Sequence, residues 1–330
     1  MTACIGRREF ITLLGGAAAW PLAARAQQPT MPVIGFLHAA SPDGSADRIR
    51  AFRQGLKDAG LVEGENVVVE YRWADNQADR LPALAADLVF RRVAVIAAAS
   101  NTAALAAKAA TATTPIVFLA SDDPVRMGLV SNLAQPGGNL TGMSFLAAEL
   151  AAKRMELLRQ VVPRITRVAV LVDPTNPVAT ETTLRDVEEV ARAMGLQVDA
   201  HHAADIGQIE QMFTSFAHER PDALFVGSSP FFTDRRVQFA LLAVVRKLPA
   251  IYPWRDFPEV GGLMSYGASL RDAIRQVGIY TGRIIKGAKP ADLPVLRSSK
   301  FEFVINLQAA RAIELEVPNS IQLLADEVIE

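Results

Sequence analysis

The chain is poor in the residues that most often carry chemistry. It has one cysteine, Cys4, and four histidines, His38, His201, His202 and His218. A lone thiol excludes an internal disulfide framework, a thiolate zinc site and a cysteine-held iron–sulfur cluster. His201 and His202 are adjacent on a strand-like run, so their rings point to opposite faces and make a poor metal pair. Neither sign of charge prevails, with 34 basic against 35 acidic residues, which leaves no electrostatic footprint for nucleic acid. No apolar run reaches the ~20 residues that a membrane span needs. A dinucleotide fingerprint, a phosphate loop and a nucleophile elbow are all missing. Gly137 and Gly138 follow a helix-like stretch and lead into a strand, the reverse of a phosphate loop. Asp122 and Asp123 are consecutive and precede Pro124, which reads as a turn and helix start rather than an acid/base pair. No catalytic, metal or cofactor constellation can be assembled from what remains.

What is present begins with an export-like segment. Arg7 and Arg8 precede Phe10, an uncharged stretch runs from Ile11 to Trp20, and Ala24-Arg25-Ala26 stands ahead of Gln27. A charged start, an apolar middle and an A-x-A site are the parts of a cleavable signal peptide. The paired arginines, the Gly/Ala-rich middle and Arg25 near the cut favour the twin-arginine route over general secretion. Residues 1–26 are therefore expected to be removed. That removes Cys4 and leaves a soluble, monomeric, periplasmic protein without a membrane span.

From Pro32 onward, short apolar runs alternate with amphipathic stretches. Strands are expected at Val33–Leu37, Asn66–Arg72, Val93–Ala97 and Pro115–Leu119, and helices on the spacings Ile49/Phe52/Leu56 and Leu81/Leu84/Leu88. The scheme then starts again. Arg167–Val172, Leu196–Ala200, Asp222–Val226, Pro249–Tyr252 and Leu263–Tyr266 read as strands, with Leu184, Val187, Ala191 and Met194 on a helix that ends at Gly195. Runs apolar on both faces, separated by helices, indicate parallel sheets covered on both sides. Two successive units of this α/β kind suggest two doubly wound lobes, though one large sheet has the same pattern. "GGNLTGMSF" and "PAIYPWRDF" are the natural crossing points.

In open parallel sheets, ligands sit beyond the carboxyl ends of the strands. The loops to watch are His38–Pro42, which holds Ser41, then Ala99–Thr102, Ala120–Pro124, Asp173–Pro177, Gly227–Pro230 and Trp254–Asp256. They are rich in Ser, Thr, Asn and Asp. Ser100, Asn101 and Thr102 open a helix, as do Ser228 and Ser229, and such positions offer hydroxyls and free N–H groups to a carboxylate, or simply cap the helix. Phe231, Phe232 and Trp254 lie in or beside two of these loops and suit an apolar or planar ligand, although Phe232 reads better as core. Arg255 could clamp a carboxylate or form an ordinary ion pair.

The strings "RREFITLLGGAAAWPLAARAQ", "FRQGLKDAGLVEGENVVVEYRWADN", "DDPVRMGLVSNLAQPGGNLTGMS" and "YPWRDFPEVGGLMSYG" resemble the ABC-transporter substrate-binding family, in the branch related to tryptophan/tyrosine transport binding proteins. The resemblance covers essentially the whole chain. It implies a type 1 periplasmic binding fold, two Rossmann-like lobes with three crossovers, and no enzymatic activity. It puts residues 32–145 plus 254–296 in lobe 1 and 146–253 plus 297–330 in lobe 2. It further implies ligand contacts from Ser100, Asn101, Thr102, Ser121 and Asp122 in lobe 1, and from Ser144 and Phe145 near the hinge. Ser228, Ser229 and Phe231 would face them from lobe 2, with Trp254 and Arg255 at a crossover. The implied partners are a small, carboxylate-bearing, aromatic or amino-acid-like ligand and a membrane permease. A sensor module for a signalling receptor is the alternative, and an exported enzyme a weaker one. Where aromatic amino-acid binders have an Asn-Thr pair, this chain has Ser228-Ser229-Pro230-Phe231.

Overall fold

The computed structural model describes residues 31–145 and 150–330, so the export segment 1–26 lies outside the described residues. The first apolar runs become β1 (Val33–His38), β2 (Val68–Trp73), β3 (Val95–Ala98), β4 (Ile116–Ala120) and β5 (Leu140–Ser144). They are joined by α1 (Ala46–Asp58), α2 (Leu81–Phe90) and α3 (Asn101–Ala110). β3 and β4 are buried at every position, which is why they read as continuous apolar runs and not as alternating ones, while β5 is as deeply buried but carries Thr141 and Ser144.

The second unit opens with α4 (Ala151–Val161) and runs through β6 (Arg167–Val172), α5 (Pro177–Met194), β7 (Gln197–His202) and α6 (Ile206–Glu219). β8 (Ala223–Val226), α7 (Pro230–Asp234), α8 (Arg236–Val245), β9 (Ala250–Tyr252) and β10 (Met264–Ala268) follow. α5 ends at Gly195, whose φ of 71° is the left-handed conformation that glycine adopts without strain. The chain closes with α9 (Leu270–Ile285), β11 (Leu296–Arg297), β12 (Phe301–Asn306) and β13 (Glu327–Ile329).

Among the described residues the strands form two sheets, not one. The first has the order β11-β5-β4-β3-β1-β2 and is parallel throughout. The second has the order β13-β12-β10-β9-β8-β6-β7, with only β10 and β12 antiparallel. The chain first leaves the first sheet after β5, in the "GGNLTGMSF" stretch. The second crossing is not at Trp254, as the lobe limits drawn from the sequence had it. β10 pairs in parallel with β9, so the chain stays in the second sheet through Ala268 and crosses at Ser269. The third crossing lies between β11 and β12. The crossing segments run side by side: the Ser269 amide donates to the Lys300 carbonyl and the Ser298 amide to the Ser144 carbonyl, each at 2.9 Å.

α9 returns the chain to the first lobe by packing on α1, and glycines make that contact close. A Cβ on Gly55 would lie 1.9 Å from the Arg275 carbonyl oxygen, and one on Gly278 2.3 Å from that of Phe52. No real Cβ tolerates either distance, so a methyl group at Gly278 forces the helices apart. Overpacking of this kind costs about 1–3 kcal/mol. Gly278→Ala is therefore expected to lower the melting temperature by several degrees in a thermal denaturation series. An unchanged melting temperature would show that the contact contributes little.

Candidate functional site

The carboxyl ends of both sheets face a common cavity lined from both lobes. From the first lobe come His38 at the end of β1, Arg48 on α1, Ala99, Ser100 and Asn101 after β3, Leu119 and Ser121 at the end of β4, and Phe145 after β5. From the second come Asn176, Ser228, Ser229, Pro230, Thr233 and Trp254, and α9 adds Leu270 and Ile274. An adjoining chamber shares Ser100, Asn101, Asn176 and Pro230, and adds Thr102, Asp173, Thr175 and Phe231 among others.

Each lobe holds its polar loops with a compact hydrogen-bond cluster. In the first, Asn101 Oδ1 accepts from the Ser121 amide at 2.9 Å, while its Nδ2 donates to Ser121 Oγ at 2.8 Å and to Asp122 Oδ2 at 2.6 Å. Ser100 caps α3 by accepting from the Ala103 amide at 3.2 Å. In the second, Asp173 Oδ1 accepts from the Thr175 amide and hydroxyl, and its Oδ2 accepts from Ser229 Oγ at 2.6 Å. Ser229 also caps α7 through the Phe232 amide. These hydrogen bonds tie the polar loops of each lobe to one another.

The apolar part of the wall centres on Phe145 and Trp254, edge to face at a centroid distance of 4.9 Å and an interplanar angle of 88°. Both are buried. His38 stands on the polar side. Its Nδ1 accepts from the Ala40 amide at 2.9 Å, so the neutral ring carries its proton on Nε2. Burial, helped by the Arg48 charge, pushes the His38 imidazole down to about 3. Arg48 is itself buried, and its Nε and Nη2 have no hydrogen-bond partner.

Of the residues named from the sequence, the structure brings Ser100, Asn101, Ser121, Phe145, Ser228, Ser229 and Trp254 to the main cavity, and Thr102 and Phe231 to the side chamber. Four fall elsewhere. Asp122 is buried behind Asn101 and Ser121, where burial raises its carboxyl against the hydrogen bonds that lower it. Ser144 is a buried strand residue whose hydroxyl donates to the Asp122 carbonyl at 3.1 Å. Arg255 turns away from Trp254 and pairs with Glu259 at 2.8 Å and Glu327 at 2.6 Å. Ser41 bridges the lobes: its amide and hydroxyl both donate to Asp234 Oδ2, at 3.0 and 3.1 Å. Asn76 Nδ2 donates to the same oxygen at 3.1 Å. Phe232 belongs to the core, fully buried against Phe239.

His38, Arg48, Asn176, Thr233, Leu270 and Ile274 were missed by sequence reasoning. Asn176 and His38 sit in or beside loops that the strand-end rule had flagged. Arg48, Leu270 and Ile274 sit on helices, where spacing alone does not distinguish a cavity wall from core or surface.

Residues 33–329 match the family described as ABC transporter substrate binding protein. The tyrosine-binding protein of Clostridioides difficile (strain R20291) is 24% identical over 268 residues, covering 81% of this chain and 76% of that protein. Among solved structures, the ABC domain from Streptococcus pneumonia in complex with L-Trp superposes with a TM-score of 0.82 at 24% identity, over 90% of this chain and 99% of that one. A conserved domain protein from Vibrio cholerae gives a TM-score of 0.83 at 23% identity, with the same coverage of both chains. These two structures share the two-lobed fold. With nearly all of its described length matched, the chain belongs to the ABC transporter substrate-binding protein family.

Proposed function

We propose that this protein is exported to the periplasm by the twin-arginine route, loses residues 1–26, and captures a small carboxylate-bearing ligand with an apolar or aromatic body between its lobes. The closed form then presents the ligand to an ABC transporter permease in the inner membrane. One observation carries this reading: the cavity is walled by strand-end loops of both sheets, so a bound molecule touches both lobes at once. A ligand with contacts on both sides shifts the population toward the closed clamp. Two similar proteins, a tyrosine-binding protein and a structure in complex with L-Trp, support an aromatic ligand class. The Phe145–Trp254 pair supplies an apolar face for such a ring.

A thermal-shift screen of the chain from Gln27 tests the clamp. The panel holds amino acids, aromatic carboxylates, small dicarboxylates and nucleosides. A ligand at a hundred times its Kd adds about 2.7 kcal/mol of stability. The expected result is a clear rise in melting temperature that Trp254→Ala abolishes. If no compound of any class shifts the transition, the clamp reading fails.

Asp234 supports closure, because a single carboxylate oxygen of the second lobe accepts three hydrogen bonds from the first. Hydrogen bonds to a charged group contribute about 1.5–3 kcal/mol each. Asp234→Ala is expected to weaken ligand binding by roughly tenfold or more. Small-angle scattering should show a larger radius of gyration for this variant. An unchanged affinity and radius would exclude Asp234 as a latch.

His38 gives the fold a pH dependence of known sign. The folded protein holds it neutral down to about 3, whereas the unfolded chain takes up the proton near 6.5. The unfolded state therefore binds more protons between those values, and stability falls as pH drops from 6.5 toward 3. The slope is up to about 1.4 kcal/mol per pH unit for one proton. Urea midpoints at pH 7 and pH 5 should differ less for His38→Gln than for the natural chain. Equal differences would place the acid sensitivity on other groups.

A further inference from the structure

Arg48 is out of place on ordinary grounds. It lies in the first turn of α1, where a charged side chain usually faces water, yet it is only 4% exposed and lines the main cavity. Its Nε and Nη2 are buried with no acceptor. Among the described residues it forms no ion pair. Asp256, Asp234 and Asp47 attract it through space and Arg236 repels it, but Nε and Nη2 hydrogen-bond to none of them. A buried guanidinium without a partner is strongly unfavourable, so keeping one at a cavity wall favours an anion that docks there. His38 stands beside it as a neutral ring with Nε2–H free to donate, and the same cavity presents the apolar side chains of Leu119, Phe145, Trp254, Leu270 and Ile274.

We infer that Arg48 anchors the ligand, its planar guanidinium donating a pair of hydrogen bonds to a carboxylate, and that the ligand is a small acid with a ring-sized apolar body. This rests on the clamp reading and names the residue that sets its specificity. It assigns to Arg48 the role that the sequence suggested for Arg255. The apolar lining of Leu119, Phe145, Trp254, Leu270 and Ile274 suits a compact aromatic body. The remaining polar groups, Ser100, Ser121, Ser228 and Asn176, are left to orient substituents.

The test is calorimetric titration of the chain from Gln27 with benzoate, 4-hydroxybenzoate, 3-phenylpropanoate, indole-3-acetate, L-tyrosine and L-tryptophan, each against its primary amide. At least one carboxylate should bind, with its amide weaker by roughly a hundredfold, the scale for removing one partner of a buried charge pair. Arg48→Met should lose a similar factor for the acid while changing the affinity of the amide by less than about threefold. Without ligand, Arg48→Met should melt at or above the natural protein, because an unpaired buried charge has been removed. That rise separates a ligand anchor from a structural arginine, whose loss would destabilise. The inference is overturned if Arg48→Met keeps the acid's affinity, if acid and amide bind alike, or if Arg48→Met melts lower. It is also overturned if only neutral or cationic compounds bind, an outcome that leaves the clamp intact. Binding by no compound of any charge overturns both.

Discussion

The backbone contact between α1 and α9 is the constraint on which the site's geometry depends. Gly55 and Gly278 let the two helices meet with no side chain between them. α9 begins immediately after the second crossing, so this contact ties the returning chain to the first lobe and fixes where the hinge begins. It also sets the floor of the cavity. Arg48 comes from the N-terminal turn of α1, and Leu270 and Ile274 come from the first turns of α9. A cation and two apolar side chains from segments more than two hundred residues apart therefore become neighbours through one pair of glycines.

Two hydrogen-bond clusters hold the rest of the wall, and they follow a common logic. Asn101 reaches from the loop after β3 to Ser121 and Asp122 after β4, and Ser229 reaches from the loop after β8 to Asp173 after β6. In each case a loop following one strand is bonded to the loop following its neighbour. The parallel register places those loops side by side. Serines and an asparagine that could have served only as helix caps also rigidify the walls. Against these hydrogen-bonded loops, the buried guanidinium of Arg48 has Nε and Nη2 without a partner, which points to function.

Much of the fold was legible because buried parallel strands leave a plain signal. β3, β4 and β8 are apolar at every position, and the cavity loops follow from strand ends by a general rule. Sheet membership was less legible. Nothing in the Met264–Ala268 run says which sheet it joins, and the resemblance put the crossover at Trp254, before β10 and not after it. The site was legible on its loops and not on its helices. Arg255 looked like an anion clamp by sequence, but Glu259 lies one helical turn onward and Glu327 comes from the far end of the chain. Arg48 had no such signal. Its burial arises only when α9, His38 and the second lobe come together around it, and no local pattern encodes that.

Burying Arg48 also bears on how the clamp moves. On the proposed clamp reading, an open form would leave the guanidinium hydrated and closure would strip that water away. Without an anion, closure would carry the desolvation cost of the charge. A carboxylate supplies the missing partner, so the same closure becomes favourable. The cation thus does more than select among ligands. It makes the closed state conditional on one, because a ligand shifts an equilibrium only by its difference in affinity for the two states. An uncharged residue at position 48 would let the lobes close with or without cargo, and a permease that recognises the closed form would then receive loaded and unloaded clamps alike.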